Sequence, residues 1–251
     1  MKRSILLLFL PLLWLPSLKA QVSLQDSSVS MGLLQVSYRG LLTGGDMADT
    51  YGFNSQIGLD FSWKFANQFY ATIGAQALVS DQIRDTILMQ NILTGGLLVT
   101  NNGLLSDIRL VQAGFVIPIS VGRLFTLPIF PNPNTGFFVE VGGQYMQHWI
   151  NITPTDEEVS AVSGEYAKGY DRMTGGFGLR EAAGFRFIGN NGYVNFSVGL
   201  EFSQNFTNGL RSIQYDTGLP GKQGRRDYFS GFYVSWIFPL LERAPSKVYY
   251  Y

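Results

Sequence analysis

The chain has 251 residues, which is enough for one domain or one barrel. Only 14% of its residues are charged, whereas about 25% are charged in a typical soluble domain, and the formal net charge is zero. Because the chain has no cysteine and no run of basic residues, it excludes disulfides and thiolate metal sites, and we expect no nucleic-acid partner, no metal and no cofactor.

Residues 1–20 have the composition of an export signal. Lys2 and Arg3 supply a basic start, residues 5–15 are apolar, and an alanine ends the segment. A helical membrane anchor needs about 20 apolar residues, so this run is too short to be one. We therefore predict a cleaved signal peptide over residues 1–20, followed by a short lead-in over residues 21–30.

Apolar and polar side chains then alternate in eight segments, which indicates β-strands because successive side chains of a strand point to opposite faces. In chain order the predicted strands are 33–42, 54–65, 68–78, 107–117, 137–149, 173–188, 193–206 and 228–240. Residues 54–65 alternate most clearly. Residues 107–117 alternate poorly, and a β-bulge near Leu110 and Val111 would explain the irregularity.

The connections between these strands alternate in length. Residues 66–67 and 189–192 are tight turns, whereas residues 118–135 hold an apolar, proline-rich segment where a short turn is expected. The long polar connections are 43–52, 81–106, 151–170 and 207–226. An even number of strands puts both termini on one side, which we expect to be the periplasm, with the long loops extracellular.

The large aromatic residues separate a membrane barrel from a soluble one. A soluble lipocalin-type barrel points its apolar face inward and includes small residues there. Here the aromatics share the apolar face, and the other face mixes glycine, amides, hydroxyls and charges, which suits a polar lumen. We predict an all-β fold with a single closed antiparallel transmembrane β-barrel of about eight strands over residues 31–240. Ten strands stay open as an alternative, since residues 86–100 could form an extra hairpin.

With its export signal, alternating strands and short turns, the chain resembles the small OmpA/OmpX-type, porin-like barrels of the Gram-negative outer membrane. The glycine–aromatic segment 174–178 (Thr-Gly-Gly-Phe-Gly) is similar to such barrels from Bacteroidota. The resemblance covers about residues 31–240 and implies a fold and an outer-membrane location more than an activity. Those barrels often end with an aromatic residue on the last strand, whereas here residues 241–251 follow as an expected periplasmic aromatic tail.

Charged residues on the polar face are the most informative set. We expect a lumen charge network of Arg39, Asp60, Lys64, Glu140, Arg180, Arg186 and Glu201. An eight-stranded barrel is just wide enough for side chains to fill it, and buried charges must pair to offset desolvation. The network favours a plugged interior, with a narrow charged pore as the alternative. Glu181 would face lipid under strict alternation, so we predict a bulge that turns it inward or a position near the interface.

The signals for chemistry are weak. His148 is the only histidine and no serine lies within two residues of it, so an enzyme centred there needs a serine from another strand. Residues 156–158 (Asp-Glu-Glu) lack the spacing of a calcium loop and are expected to be a solvated loop face. We therefore expect no catalytic residue and no metal-binding residue.

Two regions suit an interaction role. The 81–106 loop is unusually apolar, so we expect it to pack on itself over the barrel mouth or to be covered by a partner. The candidate partner contacts on the periplasmic side are Phe125, Phe130, Tyr249, Tyr250 and Tyr251. Anchoring at the lipid interface is an equally weighted explanation for these aromatic residues.

These observations favour a non-enzymatic outer-membrane barrel that acts as a binding or accessory subunit, for example in a larger secretion or barrel-assembly complex. Its expected partners are outer-membrane lipid and other outer-membrane or periplasmic proteins. The two alternatives are a small porin with a narrow charged pore and an outer-membrane lipid-modifying enzyme.

Overall fold

The computed structural model describes residues 27–85, 87–155, 159–190 and 194–240. The predicted signal peptide and the tail after Leu240 lie outside the described residues. The strands in chain order are β1 (Met31–Gly45), β2 (Asn54–Lys64), β3 (Phe69–Ser80), β4 (Leu93–Thr94), β5 (Leu97–Val99), β6 (Leu105–Ser106), β7 (Ile108–Thr126), β8 (Gly136–Pro154), β9 (Thr174–Ile188), β10 (Asn195–Gly209) and β11 (Arg225–Leu240). The helical segments are α1 (Asp46–Thr50), a 3₁₀ turn (Ser160–Val162) and α2 (Gly164–Ala167). No helix among these residues is long and apolar enough to span a membrane.

The eight long strands form one closed antiparallel barrel in the order β1-β11-β10-β9-β8-β7-β3-β2. This confirms the predicted all-β barrel of eight strands. The short strands β4, β5 and β6 form a separate three-stranded sheet. The apolar 81–106 loop therefore adds no strand to the barrel wall, and the ten-stranded alternative is wrong.

The register of the barrel sets its width. A path of hydrogen-bonded pairs that leaves β1 at Thr43 returns to β1 at Leu33, ten residues from its start. The path passes through Phe229, Ser203, Arg180, Gly142, Ser120, Thr72 and Ser62. Such a stagger tilts the strands by about 35–45° and, with eight strands, leaves an interior that side chains can fill.

Strand β2 illustrates how the sequence assigns the two faces. Burial alternates along its whole length, with Gln56 and Asp60 buried in the lumen and Leu59 and Trp63 exposed on the outside. The other barrel strands follow the same pattern over most of their length. A belt of exposed apolar and aromatic side chains therefore surrounds a largely polar interior.

Strand β7 corrects two predictions. It continues through Thr126, well past the predicted end at Ile117, and its pairing with β8 is unbroken, so the predicted bulge near Leu110 is absent. The irregular pattern has another cause. Residues 108–111, which precede Gln112, pair with β8 but not with β3, so this end of β7 and its partner segment of β8 rise above the wall as a ribbon that is partly covered on both faces.

Pro118 accounts for the difference between the predicted and the observed end of β7. A proline without an N–H is unusual inside a sheet, and here it pairs with Gln144 of β8. The pairs of β7 with β3 skip from Ile119 to Val116, so the proline lies at an interruption on that side. The connection to β8 is therefore only residues 127–135.

The two ends of the barrel differ in the length of their connections. The loop end carries the connections 46–53, 81–107, 155–173 and 210–224. The turn end carries the connections 65–68, 127–135 and 189–194, together with the first described residues of the chain. This alternation of long and short connections follows the predicted pattern.

Buried side chains occupy the interior of the barrel along its length. Near the turn end, apolar and aromatic residues form two buried clusters, which contain Val29, Met31, Leu33, Ile188 and Ile237 and, beside them, Tyr70, Leu124, Phe138, Ala182 and Tyr233. Charged residues occupy the middle. A larger apolar cluster closes the loop end, so the polar lumen is enclosed between two apolar layers.

Candidate functional site: the lumen and the loop end

Five of the seven predicted lumen charges form one connected network. Arg39 donates from Nη2 to Asp60 Oδ2 at 3.1 Å and from Nε to Glu201 Oε2 at 3.0 Å. Arg180 donates from Nη1 to Glu140 Oε1 at 2.5 Å and from Nη2 to Glu201 Oε2 at 2.7 Å. Glu201 Oε2 therefore joins the two arginines, and all five side chains are buried.

Neutral side chains donate further hydrogen bonds to two of the three carboxylates. Ser37 Oγ and Gln76 Nε2 donate to Asp60 at 2.8 and 3.1 Å. Ser120 Oγ donates to Glu140 Oε1 at 2.6 Å. Hydrogen bonds to charged groups of this kind offset the desolvation of buried carboxylates.

The other two predicted lumen charges lie nearer the turn end and outside this network. Lys64 Nζ donates to Ser28 Oγ at 3.0 Å and to the carbonyl oxygens of Val29 and Phe65. The guanidinium of Arg186 lies 4.4 Å from the ring centroid of Tyr70, so it is held by a cation–π contact rather than by a carboxylate.

Little space remains around the charged network. The cavity bordered by Arg39, Asp60, Glu140, Arg180 and Arg186 measures about 10 Å³. A cavity needs roughly 10–15 Å³ to hold one water molecule. The space among these side chains therefore has room for about one water molecule at most.

The loop end has a hydrophobic core of its own. Leu88, Met89 and Leu98 of the 81–107 connection are at most 3% exposed and pack into the barrel mouth. They meet Leu41, Met47, Tyr51, Leu78, Val116, Met146, Ile150, Val159, Val162, Tyr170 and Phe229. The apolar loop therefore packs on itself and on the barrel mouth, which is the first of the two alternatives predicted for it.

Arg172 ties three loop-end connections together. It donates from Nε to Asp85 at 2.9 Å, and from Nη1 and Nη2 to Asp216 at 2.9 and 2.6 Å. A further hydrogen bond from Nη1 reaches Gln214 at 2.7 Å. Asp216 also accepts a hydrogen bond from the backbone N–H of Met89, so this one acid anchors the 81–107 connection.

We predict that Arg172→Ala loosens the loop end without unfolding the barrel. Each hydrogen bond to a charged group contributes about 1.5–3 kcal/mol, so chymotrypsin should cut the 81–107 connection at least about tenfold faster. Arg84→Ala is the control, since Arg84 is exposed on the same connection and makes no side-chain hydrogen bond among the described residues. Equal cleavage of both variants would contradict the clamp.

A second ionic contact holds the first connection of the loop end, residues 46–53. Asp46, at the start of α1, accepts hydrogen bonds from Lys222 Nζ at 2.6 Å and from the backbone N–H of Arg226 at 2.7 Å. These two hydrogen bonds, that of Lys222 first, lower the pKa of Asp46. The connection 46–53 is thereby linked to the connection 210–224.

His148 lies inside the loop-end core rather than at an open rim. It is fully buried, and its Nδ1 lies 3.3 Å from the hydroxyl of Tyr51. Burial raises the pKa of the Tyr51 phenol. Among the described residues no serine hydroxyl forms a hydrogen bond with His148, so the geometry offers no nucleophile–base pair.

Ordered apolar side chains remain exposed on the outside of the loop end. Leu104 is 60% exposed and Leu219 is 64% exposed, although neighbouring residues are tightly packed. The further exposed members are Ile87, Val99, Leu105, Tyr166, Leu210, Ile213 and Tyr215. Exposed apolar patches on an ordered surface mark interaction sites. Sequence reasoning found the apolar 81–106 loop but not the contribution of the 210–224 connection.

The predicted aromatic contacts lie at the turn end or outside the described residues. Phe125 is exposed on the outer face, with the guanidinium of Arg123 at 5.3 Å from its ring centroid. Phe130 packs against Phe185, with ring centroids 5.4 Å apart. The tail residues Tyr249, Tyr250 and Tyr251 lie outside the described part of the chain. The described positions suit anchoring at a lipid interface as well as contact with a partner.

The turn end is closed by polar contacts of the chain itself. Asn134 Oδ1 accepts a hydrogen bond from the backbone N–H of Val29 at 3.3 Å, and Asn132 Nδ2 donates to the carbonyl of Ile188 at 2.7 Å.

Within the described ranges, no cluster of histidine and acidic residues could hold a metal ion. The acidic run 156–158 lies outside those ranges.

Glu181 does not follow the prediction made for it. The pairing of β9 with β8 and with β10 is continuous through Glu181, so there is no bulge, and its side chain is exposed on the outer face. It is seven residues from each end of β9, Thr174 and Ile188, so it is not near an end of the barrel either.

Comparisons with known proteins identify no family for this chain. No protein-family model matches the chain, and no curated protein matches it significantly. Similar solved structures include Ail, the attachment invasion locus protein of Yersinia pestis, in complex with the heparin analogue sucrose octasulfate (8% identity, 84% of this chain, 99% of that chain, TM-score 0.40). Neisserial surface protein A is another (8% identity, 82% of this chain, 96% of that chain, TM-score 0.41). A third is the N-terminal β-barrel domain of Pseudomonas aeruginosa OprF (9% identity, 83% of this chain, 99% of that chain, TM-score 0.39). These TM-scores are too low to support a conclusion about function.

Proposed function

We propose that this chain is an outer-membrane β-barrel that acts as a binding or accessory subunit, and neither conducts solutes nor catalyses a reaction. The observation that carries the proposal is the filled lumen, in which the charged network is sealed between apolar layers. A barrel that has no open passage acts through its surfaces. In this proposal the loop end is extracellular and both termini are periplasmic.

The outer belt supports the membrane location. Exposed apolar side chains of this extent would be an aggregation hazard on a soluble monomer. Trp63, Leu200 and Phe177 illustrate the belt, with exposed fractions of 45%, 69% and 71%. A closed barrel also leaves no unpaired strand edge, which lipid would not tolerate.

The loop end supports a binding role. Its core and the Arg172 clamp hold the connections in one arrangement, so the exposed apolar residues form a preorganised surface. Preorganisation reduces the entropy that binding would otherwise cost. The lipid-modifying enzyme is not favoured, because the only histidine of the chain, His148, is fully buried and its Nδ1 faces the hydroxyl of Tyr51.

Two measurements test the proposal. We expect the purified, refolded barrel to give no steady conductance steps in planar bilayers, with a general porin prepared in parallel as the positive control. We expect the full chain, extracted from native membranes in mild detergent, to migrate in a complex larger than itself. Steady steps would contradict the closed lumen, and a barrel that always runs alone would contradict the accessory role. A truncation that lacks residues 244–251 shows whether the tail holds the complex.

A further inference from the structure

Glu181 stands at the middle of the outer belt. Phe177 lies four residues away along β9 on the loop-end side, and Phe185 lies four residues away on the turn-end side. Its neighbours across the sheet are Val141 on β8 and Phe202 on β10, both exposed apolar residues. If the belt lies in lipid as proposed above, the carboxyl group is near the middle of the hydrocarbon layer.

Such a position is unfavourable for a carboxyl group without a partner. Ionisable groups inside a membrane are costly, and they mark functional contacts by default. Among the described residues, Glu181 makes no hydrogen bond and no ion pair, and it is the only acidic residue on the outer face of the barrel strands. Glu140 and Glu201 differ in this respect, because each of them forms an ion pair with an arginine inside the lumen.

A groove lies beside the carboxyl group. Ala183, two residues along β9, is small where its neighbours Val139 and Leu200 are larger. The groove measures about 380 Å³, and its walls are Val139, Val141, Glu181, Ala183, Leu200 and Phe202. Its apolar surface can hold the aliphatic stem of a lysine or arginine side chain. Glu181 is the charged group beside it.

Lipid and a second copy do not supply a partner charge at this height. Lipid headgroups lie at the edges of the hydrocarbon layer. The outward arginines of this chain lie near the ends of the described strands, Arg109 and Arg226 towards the loop end and Arg123 towards the turn end. The described part of a copy inserted in the same direction therefore brings no outward arginine to the height of Glu181.

We propose that Glu181 and this groove dock another membrane protein through an arginine or lysine side chain on its lipid-facing surface. The aliphatic stem of that side chain lies on Ala183 and its cation pairs with Glu181. Charge complementarity selects the partner, and the surrounding apolar side chains exclude lipid from the contact. This inference rests on the membrane location in the proposed function, and it gives the accessory subunit a lateral contact in addition to its loop end.

The test is site-specific photocrosslinking in native cells. A photoreactive phenylalanine analogue replaces Leu179 in one strain and Leu59 in another. Leu179 is exposed on β9, two residues from Glu181 and outside the groove, whereas Leu59 is exposed on β2, across the barrel from β9. We expect an adduct from position 179 only, joined to a different membrane protein, with the crosslinked peptide adjoining a lipid-facing arginine or lysine. Glu181→Gln keeps the size of the side chain and should reduce the adduct about tenfold, as expected for loss of a charge-assisted contact.

The decisive control exchanges the charges. Glu181→Lys should abolish the adduct, and replacing the partner's cationic residue by glutamate in the same strain should restore it. Heat-modifiable mobility on gels verifies that every variant folds. Three results would overturn the inference: an adduct with a second copy of this chain, adducts with lipid alone, or an adduct that Glu181→Gln leaves unchanged. If one of them occurs while the chain still migrates in a larger complex, the accessory role stands and only the lateral contact is wrong.

Discussion

Replacing Arg180 by methionine is expected to destabilise the folded barrel by about 3–5 kcal/mol, the cost of leaving buried charges without their partner. Arg180 is the only ion-pair partner of Glu140 among the described residues, whereas Glu201 keeps a second contact with Arg39. Reversible urea unfolding in phospholipid vesicles measures the change. Arg180→Lys should recover only part of the loss, because a single ammonium cannot reach both carboxylates as the planar guanidinium does.

Lys168→Met is the matched control for this prediction. Lys168, the residue after α2, pairs with Glu165 at 2.6 Å, and the side chains are 49% and 85% exposed. Exposed pairs contribute little to stability, so we expect no measurable change in the urea midpoint. If Arg180→Met were as stable as the parent, the charged network would not hold the lumen closed, and the case against a pore would lose its main support.

Period-two alternation was sufficient to find the wall of the barrel. Where one face is polar and the other apolar, a shift by one residue would turn every side chain to the wrong side, so the pattern specifies the strand and its faces. The strand ends were harder to predict. β7 and β8 extend beyond the wall as a ribbon, and Pro118 looked like a terminator although β7 continues through it.

Alternation predicted which charges face inward but not which of them meet. Arg39 and Glu201 are 162 residues apart in sequence and lie on strands separated by β11, so their contact depends on the register of the closed barrel. Gly231 of β11, paired with Glu201, has no side chain to separate them. Lys64 and Arg186 also face the lumen, but they lie nearer the turn end. The sequence pattern alone does not show this difference in position along the barrel axis.

Glu181 is the position where a physical rule gave the wrong expectation. The cost of a charge in lipid predicted that the chain would bend to hide this acid, but the strand runs straight and leaves it outside. The rule considers one chain surrounded by lipid. It gives a different answer when a second protein covers the acid, which is why the failure itself points to a partner.

Replacing Gly142 by alanine is expected to destabilise the barrel by about 2–3 kcal/mol, because a methyl group has no room on this inner position. A Cβ at Gly142 would overlap the carbonyl oxygen of Ile119 and would lie 2.5 and 2.6 Å from Cα and Cβ of Ser120. Gly142 pairs directly with Arg180, so the forced shift of β8 against β7 would also disturb the charged network. Urea unfolding in vesicles again provides the measurement.

Gly143→Ala separates this steric effect from the general cost of changing a glycine in a strand. A Cβ at Gly143 points outward and meets only the carbonyl oxygen of Gly178, at an ordinary 3.6 Å. We expect this variant to match or exceed the parent in stability, since alanine is less flexible than glycine in the unfolded chain. Equal losses in both variants would mean that backbone flexibility, and not the close approach of β8 to β7, decides the stability. The narrow, filled lumen on which the proposed function depends would then need a different physical explanation.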